Sequence, residues 1–197
     1  MIRNAVMFVQ HILKERVAAA TCLVDATCGN GWDTLYLAQH SPDTAKIYAF
    51  DIQAQAVSAT KERLIAAGLD HKVTILLDSH ERIDQYVRSI DIALFNLGYL
   101  PKGGHELTTK AATTLQAVER ILPLLQPGGM IALVAYPGHE EGQNEAIALK
   151  EFLSSLPQTD YYTGIWQMLN QIHQPPLLYL VEKTRSERCE RVATRED

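Results

Sequence analysis

Val24-Asp25-Ala26-Thr27-Cys28-Gly29-Asn30-Gly31-Trp32-Asp33-Thr34 decides how the first third of this chain folds. An apolar strand, Thr21 to Ala26, runs into an acid and a tight glycine turn. A helix opens at Trp32 and continues through Leu35, Leu37 and Ala38. Glycines at 29 and 31 let a ligand approach the backbone, because no Cβ stands in the way. The first amides of the helix add unsatisfied donors. About 20 residues further on, a second strand, Lys46 to Phe50, ends in Asp51, where a carboxylate can accept hydrogen bonds from both hydroxyls of a ribose. The unit predicts a nucleoside-cofactor site. A turn at Gly29 and Gly31 and a helix cap at Asp51 would explain each feature singly, but not their separation.

A dinucleotide site would carry three glycines in G-x-G-x-x-G, with helix amides facing a pyrophosphate. Here the third glycine is missing and Thr34 stands near its place. Asp25, ahead of the glycines, would repel a pyrophosphate and suits an ammonium group. The stretch resembles the Rossmann-like (class I) methyltransferases that use S-adenosyl-L-methionine (SAM). That resemblance implies that Asp25 lies close to the methionine amino end of SAM. It also implies that the turn from Cys28, Gly29, Asn30 and Gly31 to Asp33 and Thr34 runs beside the cofactor, and that Asp51 and Gln53 take the ribose side.

The 197 residues suit one domain, expected over residues 1–184, with a helical lead at 1–20 and a polar, flexible tail at 185–197. Some 47% of residues are apolar, enough for a sizeable core. The longest apolar runs, Met130 to Ala135 and Leu177 to Val181, are strand-length and well short of the roughly 20 residues of a membrane span. Met1 to Arg16 carries charges throughout and lacks the apolar core of a secretory leader. Cys22, Cys28 and Cys189 fit neither a disulfide framework nor a zinc spacing, so a reducing, cytoplasmic setting is expected. The formal charge of -5 argues against extensive non-specific RNA binding, which needs a basic excess. It leaves room for a local basic face from Arg3, Lys14, Arg16, Lys102 and Lys110.

Strand and helix alternate to the end. Val73 to Leu77 and Ile90 to Phe95 read as the third and fourth strands, Thr108 to Leu125 as a long helix, and Gln126-Pro127-Gly128-Gly129 as a turn into a fifth strand, Met130 to Tyr136. Glu140 to Leu156 is a helix, and strands near Tyr161 to Leu169 and Leu177 to Glu182 follow. The prediction is an α/β fold: a mostly parallel seven-stranded sheet with a terminal antiparallel hairpin and helices on both faces. Ligands of such sheets sit at the carboxyl ends of strands, where Asp25, Asp51, Asp78, Asn96 and Pro137 to Glu141 all fall.

Three of these strand ends carry further chemistry. Asp78, Ser79 and His80 are placed by the resemblance against the adenine, although Ser79 or Asp78 could equally cap a helix. Asn96-Leu97-Gly98-Tyr99-Leu100-Pro101 resembles the N-P-P-Y type motif of amino-methyltransferases, with Leu97-Gly98 in place of the two prolines. In that motif the Asn side chain and the next carbonyl accept hydrogens from the target nitrogen and the aromatic ring packs on the substrate. Asn96 and Tyr99 are therefore candidate catalytic residues, Asn96 also a candidate cofactor contact, and Leu97, Gly98, Tyr99, Pro101, Lys102 and Tyr136 candidate substrate contacts. Positioning is most of what a methyl transfer needs. In Tyr136-Pro137-Gly138-His139-Glu140-Glu141-Gly142, His139 is a candidate general base or phosphate contact, and Glu140 or Glu141 could face the amine, with His139 and Glu141 taken as the catalytic candidates. His139 reads equally well as a capping residue. No spacing suggests a metal site.

Taken together, the Asp25-to-Thr34 turn, Phe50-Asp51-Ile52-Gln53, the Asn96-to-Pro101 run and Pro137-Gly138-His139-Glu140-Glu141-Gly142 resemble the small bacterial rRNA methylase family, also called YtqB-like. Its members are assigned to a tRNA wobble uridine. The resemblance implies transfer of a methyl group from SAM to the aminomethyl nitrogen of 5-aminomethyl-2-thiouridine, with a tRNA anticodon loop as partner. Single-stranded loop bases stack on aromatics, for which Tyr99, Tyr136 and Trp166 are candidates. A second subunit, as a homodimer, would widen the RNA surface. The competing readings are a methyltransferase of rRNA or of a small-molecule amine, a SAM-binding protein without catalysis, and a nicotinamide-dependent oxidoreductase.

Overall fold

Helix α1, Ala5–Val17, begins at Asn4, whose side chain accepts from the Met7 amide at 2.8 Å. It buries Ala5, Val9, Leu13 and Val17, one per turn, on a single face. The computed structural model describes residues 4–98, 110–172 and 174–184. Within them seven strands form one sheet: β1 (Cys22–Asp25), β2 (Lys46–Asp51), β3 (Val73–Leu77), β4 (Ile90–Asn96), β5 (Leu125–Ala135), β6 (Tyr161–Gln167) and β7 (Leu177–Lys183). Their order is β3-β2-β1-β4-β5-β7-β6, with β7 antiparallel to both neighbours and every other pair parallel.

Helices α2 (Trp32–His40) and α3 (Ala54–Ala67) join α1 on one face, and α4 (Ile83–Tyr86), α5 (Ala111–Leu124) and α6 (Glu140–Ser154) cover the other. The core divides accordingly. In β4, Ala93 and Phe95 belong to the cluster under α5 and α6, whereas Ile92 and Leu94 belong to the one under α1 and α2. β5 alternates the same way, with Ile131, Leu133 and Ala135 against Met130, Ala132 and Val134. Period-two alternation with both faces apolar is what a covered central strand requires.

Several boundaries move from the sequence expectation. The turn at Gln126–Gly129 lies inside β5 rather than before it: pairing passes from Ile90↔Leu125 to Ile92↔Met130, so the intervening residues bulge out at Gly128, whose φ is 79°. Arg16, expected on a basic face, is a tie instead. It donates to the Gly128 carbonyl at 2.7 Å and pairs with Glu182 at 2.9 Å, fastening α1 to the far half of the sheet. Among the described residues no helix is long and apolar enough to cross a membrane. Arg3, the residues of the 185–197 tail and the start of the helix expected from Thr108 lie outside the described residues.

Candidate functional site

The sheet order reverses between β1 and β4, and the cleft above their carboxyl ends is where such folds take ligands. Its floor is the β1–α2 turn. Gly31, at φ 77°, is the N-cap of α2, and its amide donates to the Cys28 carbonyl at 2.7 Å. The turn is bolted to β2. Cys28 N donates to the Phe50 carbonyl at 2.8 Å, Gly29 N to Asp51 Oδ2 at 2.9 Å, and Thr60 Oγ1 to the Gly29 carbonyl at 3.1 Å. A Cβ at Gly31 would stand 2.8 Å from Thr60 Cα, against backbone rather than a yielding side chain. Gly31→Ala is therefore expected to cost about 2–4 kcal/mol in a denaturant titration, combining left-handed strain with that overlap.

The expected cofactor residues divide into two layers. Cys28, Gly29, Asn30, Asp33, Asp51, Gln53, and Asp78 through His80 line the cleft. Asp25, Gly31 and Thr34 do not. Asp25 is only 1% exposed. Its oxygens accept from Thr34 Oγ1 at 2.5 Å and from Thr27 N at 3.2 Å. It underpins the turn from behind, and Asp33 is the acid of this motif that reaches the cleft wall. Burial, then the charge of Asp33, push the Asp25 pKa up to about 7, with the bonds from Thr34 and Thr27 opposing. Burial also raises Asp33, against hydrogen bonds from Asn96 and Gln10. The Cys28 thiol is pushed well up by burial, which suits a small filler and not a nucleophile.

Asp51 fits a ribose. Oδ1 accepts from Gln53 N at 2.9 Å and Oδ2 from Gly29 N, so each oxygen keeps a lone pair for a vicinal diol. Asp78 is more committed. Tyr86 holds it at 2.7 Å and the Ser79 amide at 2.8 Å, and the Tyr86 bond chiefly lowers its pKa. Ser79 caps the short 3-10 turn that follows. His80 Nδ1 lies 3.2 Å from the Ala26 carbonyl, and burial lowers the ring's pKa against that bond.

At the end of β4, Asn96 N donates to Thr27 Oγ1 at 2.7 Å and Asn96 Nδ2 to Asp33 Oδ2 at 3.2 Å. The amide nitrogen is held toward Asp33, Oδ1 is the accepting atom of the side chain, and Asn96 also shares a side-chain hydrogen bond with Tyr136. Leu97 N donates to the Val134 carbonyl at 2.8 Å and its side chain is wholly buried, so any substrate contact there falls to its backbone. Gly98 adopts φ 147°, a conformation that favours glycine, and Tyr136 packs beside it. This accounts for a glycine where the N-P-P-Y pattern has proline. Tyr99, Pro101 and Lys102 lie outside the described residues.

His139 is the N-cap of α6: its Nδ1 accepts from Gly142 N at 3.0 Å. A backbone N–H can only donate, so Nδ1 is unprotonated and Nε2 carries the ring proton. A general base would need a lone pair turned to the substrate; Nδ1 is committed to the cap and Nε2 is buried. Gly142 is required because a Cβ there would overlap the Tyr136 carbonyl oxygen. Glu140 and Glu141 line the mouth on the first turn of α6, where negative charge also favours the helix. Trp166, a stacking candidate from sequence, lies against Phe8 of α1 with centroids 4.5 Å apart and does not line the cleft. Sequence reasoning missed Trp32, Ile52, and the β6–β7 connection, whose Gln171, Ile172 and Pro175 close one side. Only the exposed apolar character of Trp32 and Ile52, straight after a glycine and an acid, could have signalled them.

A sheet of this order, an acid at the end of β2 and an anchored Asn at the end of β4 define a class I, SAM-dependent methyltransferase. Comparison with known proteins narrows the class. The family model described as "Putative rRNA methylase" matches residues 47–182, and the chain belongs to that family. A chloroplastic tRNA (mnm(5)s(2)U34)-methyltransferase of Arabidopsis thaliana is 34% identical over 187 residues, covering 89% of this chain and 68% of that protein. A structure of the same family description from Clostridium thermocellum superposes with a TM-score of 0.90 at 35% identity, covering 93% of this chain and 99% of the other. A methyltransferase from Streptococcus mutans, in complex with SAH, does so with a TM-score of 0.84 at 36% identity and the same coverage.

Proposed function

We propose that this protein methylates the aminomethyl nitrogen of 5-aminomethyl-2-thiouridine at the wobble position of tRNA, using SAM and receiving the nucleotide from a single-stranded anticodon loop. The observation that carries this reading is the fixed orientation of Asn96. A neutral primary amine has two N–H donors and one lone pair. Asn96 Oδ1 and the Leu97 carbonyl offer two neutral acceptors, which aim that lone pair along one direction. An ammonium, with three donors, fits them less well, and a desolvated site next to a cation lowers the amine pKa. When bound, SAM supplies an electrophilic methyl on a positively charged sulfur, and the amine's attack releases neutral-sulfur SAH. The proton displaced from nitrogen leaves to solvent.

Asp51 would hold the ribose of SAM, the Gly29 and Asn30 backbone its methionine end, and Asp33 would face its positive charge. The cleft volume is about 1440 Å³, above the roughly 300–1,000 Å³ of pockets for single small ligands, which suits a cofactor together with a nucleotide. A reducing compartment such as the cytosol suits the free thiols of Cys22 and Cys28. The similarity to the Arabidopsis enzyme supports the choice of nucleoside. Nucleoside mass spectrometry of tRNA from cells lacking the protein tests it. Accumulated 5-aminomethyl-2-thiouridine should gain one methyl when purified protein and SAM are added. An unchanged tRNA profile would reject the wobble nucleoside and turn the search to rRNA and small amines.

A further inference from the structure

Trp32 stands at the rim of this cleft, 63% exposed, as the first residue of α2. Burial does not explain a large indole there, since most of its surface stays in water. Its ring is nevertheless held. The Arg63 guanidinium lies 3.4 Å from the ring centroid, and Arg63 is itself pinned, with Nε donating to the Asn30 carbonyl at 2.7 Å. The cation rests on the ring's negative face. The result is a rigid aromatic plane carrying a fixed positive charge, built on the same turn that forms the cleft floor. Planar aromatic and guanidinium groups of this kind take unstacked nucleobases, and the charge attracts the adjoining phosphate.

We propose that Trp32 and Arg63 form a stacking platform for a nucleobase next to the target nucleotide in single-stranded RNA. The proposal rests on the RNA-substrate reading above and adds a second point of contact outside the chemistry. It lets an acidic protein hold a loop through one stacked base and a local cation, with Lys110 on the lining of the same cleft. Ile172, 79% exposed on the β6–β7 connection, lines the same cleft and extends its apolar rim.

The chain has two tryptophans, Trp32 and Trp166, so fluorescence can report on this site alone. In the full-length Trp166→Phe protein, titration with an unmodified anticodon stem-loop RNA should quench the remaining emission. Trp32→Ala should weaken binding of the same RNA, measured by anisotropy of a labelled loop, by roughly ten- to a hundredfold. Trp32→Tyr should recover much of that loss, and in both variants calorimetric SAM affinity should change far less than RNA affinity. Unquenched emission on saturation with RNA, or a Trp32→Ala protein that binds RNA normally and SAM poorly, would overturn the platform. Quenching and weakened binding in a protein that methylates no tRNA would uphold the platform and reject the wobble-uridine function instead.

Discussion

Asn96→Ala is expected to lower the rate of methyl transfer about a hundredfold or more while leaving SAM affinity within a few-fold of the parent. The side chain supplies an acceptor for the target amine, whereas the ribose acceptor and the glycine turn, on β2 and the β1–α2 connection, stay in place. Asp33→Asn sharpens the test. With the carboxylate present, Asn96 must point Nδ2 at Asp33 and Oδ1 away from it. An amide at position 33 can offer either a donor or an acceptor, so Asn96 is free to turn over and present N–H groups to an amine that also donates. Single-turnover kinetics at saturating labelled SAM should show the methyl-transfer rate falling in both variants, while calorimetry reports intact cofactor binding in Asn96→Ala and weaker binding in Asp33→Asn, which has lost the charge that faces SAM. Turnover unchanged in Asn96→Ala would remove Asn96 from the reaction. Turnover lost together with SAM binding would make it a cofactor residue.

Most of the fold was legible because its signals are local. β3 keeps its expected limits from Val73 to Leu77, and Gly68 ends α3 in the left-handed conformation that a helix-terminating glycine serves. The bulge in β5 was not legible: Pro127-Gly128-Gly129 reads as a turn in isolation, and only pairing with β4 makes it an interruption within a strand. The site was legible at strand ends, where polarity is concentrated, but not in depth. Sequence order cannot say that Asp25 faces inward to Thr34 while Asp33, eight residues later, reaches the wall and takes Asn96. That distinction follows from helix phase. Thr34 is wholly buried against the sheet, and its predecessors on the same turn therefore point elsewhere, Asp33 toward β4 and Trp32 toward α3. His139 was ambiguous between base and cap for a related reason: only the position of the Gly142 amide decides what its ring nitrogens can do.

The buried acid pair sets the second large effect, which is on pH. Asp25 in the folded protein has its pKa raised from the ordinary 3.8 to about 7, because burial and the Asp33 charge outweigh the bonds from Thr34 and Thr27. Between about pH 4 and pH 7 the folded state therefore binds a proton that the unfolded chain has released. By linkage, the stabilising contribution of that proton is fully present below the lower value and is lost as pH rises through the upper one. The protein without ligand should thus lose stability from pH 5 to pH 8, opposite to the trend set by salt-bridged carboxylates. Asp25→Asn removes the charge but keeps an acceptor for the Thr27 amide and a partner for Thr34. It should stabilise the protein progressively more as pH rises from about 4 to 7, on the order of 1.4 kcal/mol per pH unit, so that the gain at pH 8 clearly exceeds the gain at pH 5. SAM brings positive charge beside this pair and favours its ionised form, so SAM affinity of the parent should rise between pH 6 and pH 8. That rise should be flattened in Asp25→Asn. Thermal melts and calorimetry at three pH values measure both effects. Equal stabilisation by Asp25→Asn at pH 5 and pH 8 would mean that Asp25 is ionised throughout, and that the cost of burying it is met by its hydrogen bonds without a proton.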